Sequence, residues 1–316
     1  MPIIVGSGAI TPPATPGPGA PAPERPIRVF DLRRPQAVYI APDGSEWPLS
    51  TPERGWSTID DVSGLGATPV DLVTDPHPRG GARVRHIQPQ ARSITWPLLV
   101  WGESHLQFLD RWRALARAFA MTRRRGPGRL RILRPDGSAR EIAVYYEAGF
   151  DGEPGRGWTD DVAAISLFAE DPYWATRDPV TQRYTIAAPR TFLSPYPSLS
   201  SGRVLGQAVV DNAGDVEAWP EWTITGPATG ITATNTTTGQ AFTLTYTLTA
   251  GQTVTITTDP PTVRGPAGQN ISGALSWPGA VLWHLDPGRN DVNFAVSGAT
   301  GGASVELRYR PRFETA

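Results

Sequence analysis

The chain contains no cysteine, which excludes disulfides, thiolate nucleophiles and cysteine-ligated zinc and leaves stability to packing or assembly. Lysine is also missing, so all 29 basic residues are arginine. A guanidinium is a planar fork that pairs carboxylates and stacks on aromatic rings, which suits packed interfaces, although a GC-rich coding bias produces the same pattern. No charge of one sign prevails: 29 basic residues against 30 acidic ones leave a net charge of -1. Nothing in the bulk electrostatics therefore draws the chain to nucleic acid or to an anionic membrane, and partners must be recognised by shape. No apolar run reaches membrane-spanning length, and residues 1–26 lack a basic n-region and a continuous apolar h-region. Neither membrane insertion nor Sec-type export is expected.

What is present is turn-rich. The 316 residues include 33 Gly and 33 Pro, with 39% hydrophobic and 19% charged; this favours short strands, and the length favours two domains. Residues 1–26 alternate Pro with Gly, Ala and Thr and read as a flexible arm whose apolar start, Pro2 to Val5, is able to dock as an added strand. Strand candidates then run from Ile27–Phe30 through Ala37–Ile40 and Glu46–Leu49, the last two joined by Pro42-Asp43-Gly44-Ser45, a hairpin signal. Val62–Gly66 and Gly80–Arg85 follow, then Ser93–Trp101 as a half-buried strand. One helix interrupts the strands. Ser104 and Gln107 make a capping-box-like start, Phe108, Leu109, Trp112, Leu115, Ala116 and Phe119 recur at helical spacing, and Gly126-Pro127-Gly128 stops it. A second hairpin turns at Pro135-Asp136-Gly137, and Asp161–Ala169 reads as a buried strand leading into Asp171-Pro172-Tyr173-Trp174. Beyond about residue 180 the texture is Thr-rich and strictly alternating, in Trp222–Thr225, Phe242–Tyr246, Thr253–Thr257 and Ala303–Tyr309, which implies a sandwich. The expected layout is mainly β (α+β): an arm at 1–26, a β-rich domain with one packed helix at 27–180, and a β-sandwich at 181–316.

Sites for chemistry are lacking. His77, His86, His105 and His284 have no metal-ligand spacing. Asp60-Asp61 and Asp160-Asp161 are adjacent pairs whose side chains point to opposite faces of a strand. No Gly-x-Ser-x-Gly elbow, P-loop or dinucleotide fingerprint occurs. The chain reads as non-enzymatic, with no catalytic residue, no cofactor and no metal.

The order of elements resembles the siphovirus distal tail protein family. The Asp43-Gly44 hairpin, the Gly64-Leu65-Gly66 loop, a strand, the amphipathic helix, the Arg131–Tyr146 hairpin and the closing Asp171-Pro172-Tyr173-Trp174 carry it in the first half. In the second half it rests on Asn212–Pro220, Ile224–Pro227, Thr237–Gln240, Leu248–Gly251 and Leu285–Asn290, so the likeness spans roughly residues 37 to 312. The resemblance implies an N-terminal ring-forming domain, usually six-fold, around a lumen through which DNA passes, with a galectin-like or carbohydrate-module-like sandwich outside. It implies as partners the chain itself as a homohexamer, the tail tube protein, the tail-tip hub protein, and tape-measure and receptor-binding proteins. The implied location is the distal end of the virion's tail, after assembly in the host cytoplasm.

Two residue groups stand out within that frame. Arg123, Arg124, Arg125 and Arg129 invite a DNA-contact reading, but DNA must slide through a tail and a basic lumen would hold phosphates. They are therefore candidates for the intersubunit interface, as a helix cap and salt bridges. Trp219, Trp277 and Trp283, with Trp222 and Tyr309, are able to form a sugar-stacking platform, with core packing as the default for them. The alternative function is accordingly a carbohydrate-binding adhesin acting through the sandwich. Residues 62–90 are too long and too rich in Pro and Gly for a simple connection and are expected to order against a neighbouring subunit.

Overall fold

A computed structural model describes residues 36–152, 158–185, 203–204, 206–299 and 301–316. The Pro-rich arm of residues 1–26 and the strand expected at Ile27–Phe30 lie outside them. Pro35–Ala316 is one compact unit built around two hydrophobic cores.

The elements up to residue 176 are β1 (Gln36–Ile40), β2 (Glu46–Pro48), β3 (Trp56–Thr58), β4 (Val70–Pro76), β5 (Ala82–Pro89), β6 (Arg92–Trp101), α1 (His105–Ala120), the single turn α2 (Thr122–Arg125), β7 (Gly128–Leu133), β8 (Ala139–Ala148), β9 (Asp160–Ala169) and β10 (Trp174–Thr176), and all but β4 and β5 surround the first core. Its main sheet runs β2-β1-β7-β8-β9-β6-β3, and β4 and β5 form a separate two-stranded sheet. Both tight hairpins use the same four residues, Pro-Asp-Gly-Ser. In each, the aspartate Oδ1 accepts from the serine N–H at 2.9 Å and from its hydroxyl at 2.6 Å, at Asp43/Ser45 and at Asp136/Ser138. The serine hydroxyl is the larger cause holding both carboxyls below the usual aspartate range.

The helix forms as its spacing predicts. Ser104 Oγ accepts from Gln107 N–H at 3.3 Å, while the Gln107 amide oxygen reaches back to the Glu103 N–H at 2.7 Å. Phe108, Leu115, Ala118 and Phe119 are buried on one face, and Phe119 stacks on Tyr39 of β1 with ring centroids 4.0 Å apart. The helix ends before Gly126, as expected.

The second core lies between two sheets. It is built from β11 (Val180–Thr185), β12 (Arg203–Val204), β13 (Gln207–Asn212), β14 (Glu221–Thr225), β15 (Ala228–Asn235), β16 (Gln240–Leu248), β17 (Thr253–Thr258), β18 (Pro261–Arg264), β19 (Gly288–Ser297) and β20 (Ser304–Tyr309). One sheet runs β12-β11-β20-β14-β17-β18 and the other β13-β19-β15-β16. Alternation buries Trp222 with Ile224, as the sequence pattern requires. Around Trp222 gather Trp283 at 4.8 Å, Phe294 at 5.4 Å and Phe242 at 5.8 Å, all edge-to-face. After β20 the chain returns to the first core, where β21 (Arg312–Phe313) pairs with β10, and β10 pairs in turn with β8.

Two sequence expectations change. Val62–Gly66 is no strand: it makes a single bridge, Ser63 to Thr95, around the tight backbone at Gly64. The 67–90 segment contains a second full strand, β4, which the prolines at 69 and 76 disguise.

Phe119→Ala is expected to destabilise the protein by about 3–5 kcal/mol, since it empties a fully buried aromatic site; urea denaturation measures this. A carboxyl titration by NMR is expected to place the midpoints of Asp43 and Asp136 below that of an unfolded aspartate. Their turn hydrogen bonds are thus complete above the unfolded value and are lost as pH falls through the folded one.

Candidate subunit interface

The β4–β5 ribbon stands apart from both cores. Every residue of its two strands is exposed except Asp75, which is half-buried. A lone hairpin of this kind is marginal in water. Each strand would extend about 25 Å at the usual rise per residue, and both are edges.

Its side-chain pattern is not that of a solvated loop. Val70 faces Pro89 and Leu72 faces Ile87 across the ladder; a bulge then shifts the register between Val73 and Thr74, after which Thr74 faces Val84 and Pro76 faces Ala82. Val84 and Ile87 are three apart, a spacing that puts side chains on opposite faces of a regular strand. The extra residue at the bulge, Arg85, restores the phase, so that Val70, Leu72, Val84 and Ile87 share one face. These four side chains are 53%, 50%, 48% and 55% exposed. The opposite face carries Asp71, Val73, Asp75, Arg83, His86 and Gln88, and Arg85 pairs with Asp75. That exposed ion pair adds little stability. The two faces differ in kind, and nothing among the described residues covers the apolar one.

The base of the ribbon is held by Arg92, at the start of β6 and 2% exposed. Its Nε donates to Pro172 O at 2.8 Å, Nη1 to Gly64 O at 2.7 Å and Gly66 O at 2.6 Å, and Nη2 to Glu314 O at 2.8 Å and Thr68 Oγ1 at 3.2 Å. All five guanidinium donors are thereby used. Burial pulls the Arg92 pKa down and the nearby Glu314 carboxylate opposes it. Gly64 has to be glycine here: its φ is +85°, and a Cβ would lie 2.2 Å from Ser93 O.

The arginines singled out from sequence are divided among different tasks. Arg123, Arg124 and Arg125 sit exposed on α2, with the Arg123 guanidinium 5.4 Å from the Tyr146 ring centre. Arg129 Nη1 donates to Glu141 Oε2 at 3.3 Å, and Glu141 is buried and also held by Arg131 at 2.6 Å, so Arg129 is engaged within its own chain. The tryptophans are also separated. Trp283 is fully buried and its indole N–H donates to Ala233 O at 3.1 Å; it packs the second core and offers no ring to a sugar, which corrects the expectation of a glycan contact there. Trp219, 38% exposed, meets His284 edge-on at 5.2 Å. Trp277, 59% exposed, donates to Ser272 O at 3.0 Å. Among the described residues, no group of three or more His, Cys, Asp or Glu is placed to hold a metal, and no helix is long and apolar enough to cross a membrane.

Comparison with known proteins bears on this arrangement. Residues 213–313 match the family described as siphovirus-type tail component, C-terminal domain. The fold is similar to those of solved phage proteins. The chain is similar to the SPP1 Dit protein, titled a paradigm of hub adsorption apparatus in phages infecting Gram-positive hosts, with 14% identity and a TM-score of 0.65 over 89% of this chain and 100% of that one. It is also similar to a chain of the phage p2 baseplate in its activated conformation with Sr, at 12% identity and TM-score 0.53 over 90% and 100%. A second p2 baseplate structure, with Ca, gives 10% identity and TM-score 0.51 over 89% and 99%. No curated protein matches the chain.

Arg92→Lys is expected to destabilise the protein by about 2–5 kcal/mol, because three ammonium donors cannot serve five oxygens and each orphaned acceptor costs about 1–3 kcal/mol. Chemical denaturation checks this.

Proposed function

We propose that the protein is a structural, non-enzymatic distal tail protein of a long-tailed bacteriophage, whose copies close into a ring, a homohexamer, at the end of the tail. In this reading residues 27–180 form the ring domain and residues 181–316 the peripheral sandwich. The ring joins the tail tube protein to the tail-tip hub, beside tape-measure and receptor-binding proteins, and DNA passes through its lumen without specific binding. The protein then resides at the distal end of the virion's tail after assembly in the host cytoplasm.

The apolar face of the β4–β5 ribbon carries the reading. Val70, Leu72, Val84 and Ile87 are about half exposed in the single subunit, and seating them against a neighbouring copy stabilises the contact by on the order of 4 kcal/mol. Contact between this ribbon and a different patch of the next subunit is heterologous, and such contacts close into rings when the rotation permits. The exposed Arg123, Arg124 and Arg125 supply forks for carboxylates of the neighbour. The near-balanced charge of the chain, -1, suits a channel through which a polyanion must slide.

The test combines light scattering with negative-stain imaging of the full chain and of a Leu72→Asp, Ile87→Asp double variant. The wild-type protein is expected to have six times the chain mass and to show a central hole. The double variant is expected to be a folded monomer with the wild-type circular-dichroism spectrum, its association weakened by roughly a thousandfold. A ring that survives both substitutions, or a wild-type chain that stays monomeric at the highest soluble concentration, contradicts the proposal.

A further inference from the structure

Residues 312–316 leave the sandwich and cross the first core, and each step of that path is bonded on one side or the other. Arg312 O accepts from the Asp215 N–H at 2.8 Å. Its guanidinium chelates Asp171 at 2.7 and 2.9 Å and lies 4.6 Å from the Tyr173 ring centre. Gly214 admits this segment because it has no side chain: a Cβ there would lie 2.5 Å from Arg312 O. Phe313 sits under the Arg140 guanidinium at 3.7 Å, and Arg140 Nη1 donates to Thr315 O at 2.6 Å. Ala316 N–H donates to Leu65 O at 3.0 Å.

Glu314 is the residue at which the two sides meet. Its N–H donates to Asp215 Oδ2 at 3.1 Å, in the loop after β13 of the sandwich. Its carboxylate accepts from the Thr68 N–H at 3.0 Å, and its carbonyl accepts from Arg92 at 2.8 Å, both at the base of the β4–β5 ribbon. Three groups of one residue are thus fixed at once, two by the ribbon's base and one by the sandwich. Displacing Glu314 from Asp215 changes the acceptor geometry that Thr68 and Arg92 depend on.

We infer that residues 312–316 are a strap that transmits the placement of the sandwich to the base of the β4–β5 ribbon, with Glu314 and Arg92 as its positioning residues. Its consequence for assembly rests on the proposed role of the ribbon as the subunit interface. A change in what the sandwich holds then alters the aim of the ribbon, and with it the ring, through a path of direct hydrogen bonds rather than through either core.

Hydrogen exchange on the full chain, read amide by amide, tests the strap without requiring a ring. Asp215→Ala touches no residue of the ribbon's base, yet is expected to speed exchange at Thr68 about tenfold or more while leaving the β6 amide of Leu98 unchanged. Glu314→Ala is expected to give the same pattern, and Glu314→Gln, which keeps an acceptor for the Thr68 N–H, to restore most of the protection. Unchanged exchange at Thr68 in Asp215→Ala overturns the strap, as does an equal acceleration at Leu98, which reports general loosening. Light scattering separates the two ideas: rings that form while Thr68 ignores Asp215→Ala sink the strap alone, and a coupled Thr68 in a chain that never oligomerises sinks the interface alone.

Discussion

A single buried guanidinium sets the layout of the first half of the molecule. Arg92 gathers oxygens from residues 64, 66 and 68, from residue 172 and from residue 314, so one side chain closes loops of very different length. The acceptors are neutral, four backbone carbonyls and one hydroxyl, and among the described residues no carboxylate bonds to the charge. Such a site is tolerable for arginine because its pKa starts so high that desolvation leaves it protonated, and because its five donors have fixed directions. A lysine desolvated in the same place would tend to give up its proton. The tight turn at Gly64, the closing Asp171-Pro172-Tyr173-Trp174 segment and the returning 312–316 segment are all arranged so that their carbonyls point at this group.

Much of the fold was legible because local chemistry and global pattern agree. Two identical Pro-Asp-Gly-Ser turns, a helix with a capping serine and a clean apolar stripe, and strict alternation around Trp222 each specify one local structure, and tertiary packing overrides none of them. Arg92 was missed because arginine is ordinarily a surface residue. A signal was nevertheless present: Arg92 lies in the same alternation phase as Ile94, Trp96, Leu98 and Val100, the buried side of β6. The ribbon was half missed for a different reason. Its apolar residues obey no single period until the bulge is placed, and a bulge is a property of the pair of strands, invisible in either one. Trp277 and Trp283 lie six residues apart in irregular chain, where no periodicity distinguishes a surface ring from a core ring.

The ribbon acquires its meaning by contrast with the other strand edges of the same chain. The outer strands β2 and β3 are three residues long, β2 ends at Pro48, and β18 is four residues long and begins at Pro261. Short edges and prolines deny a foreign strand its ladder. The long edge of β16 is covered from within: Leu275 bridges Leu244, and the N–H groups of Ser276 and Val281 donate to Thr243 O and Ala241 O. These protections contrast with a ribbon of seven and eight residues that has four aliphatic side chains on one face. Left uncovered, such a surface invites open-ended association. In the proposed ring, a contact of defined geometry with a neighbouring copy would remove the hazard, provided the rotation closes before a filament grows. Such closure requires the aim of the ribbon to be held within narrow limits, and a base fixed by three hydrogen bonds to one buried, planar guanidinium, itself anchored to Pro172 and Glu314, supplies that stiffness where a flexible connection would not.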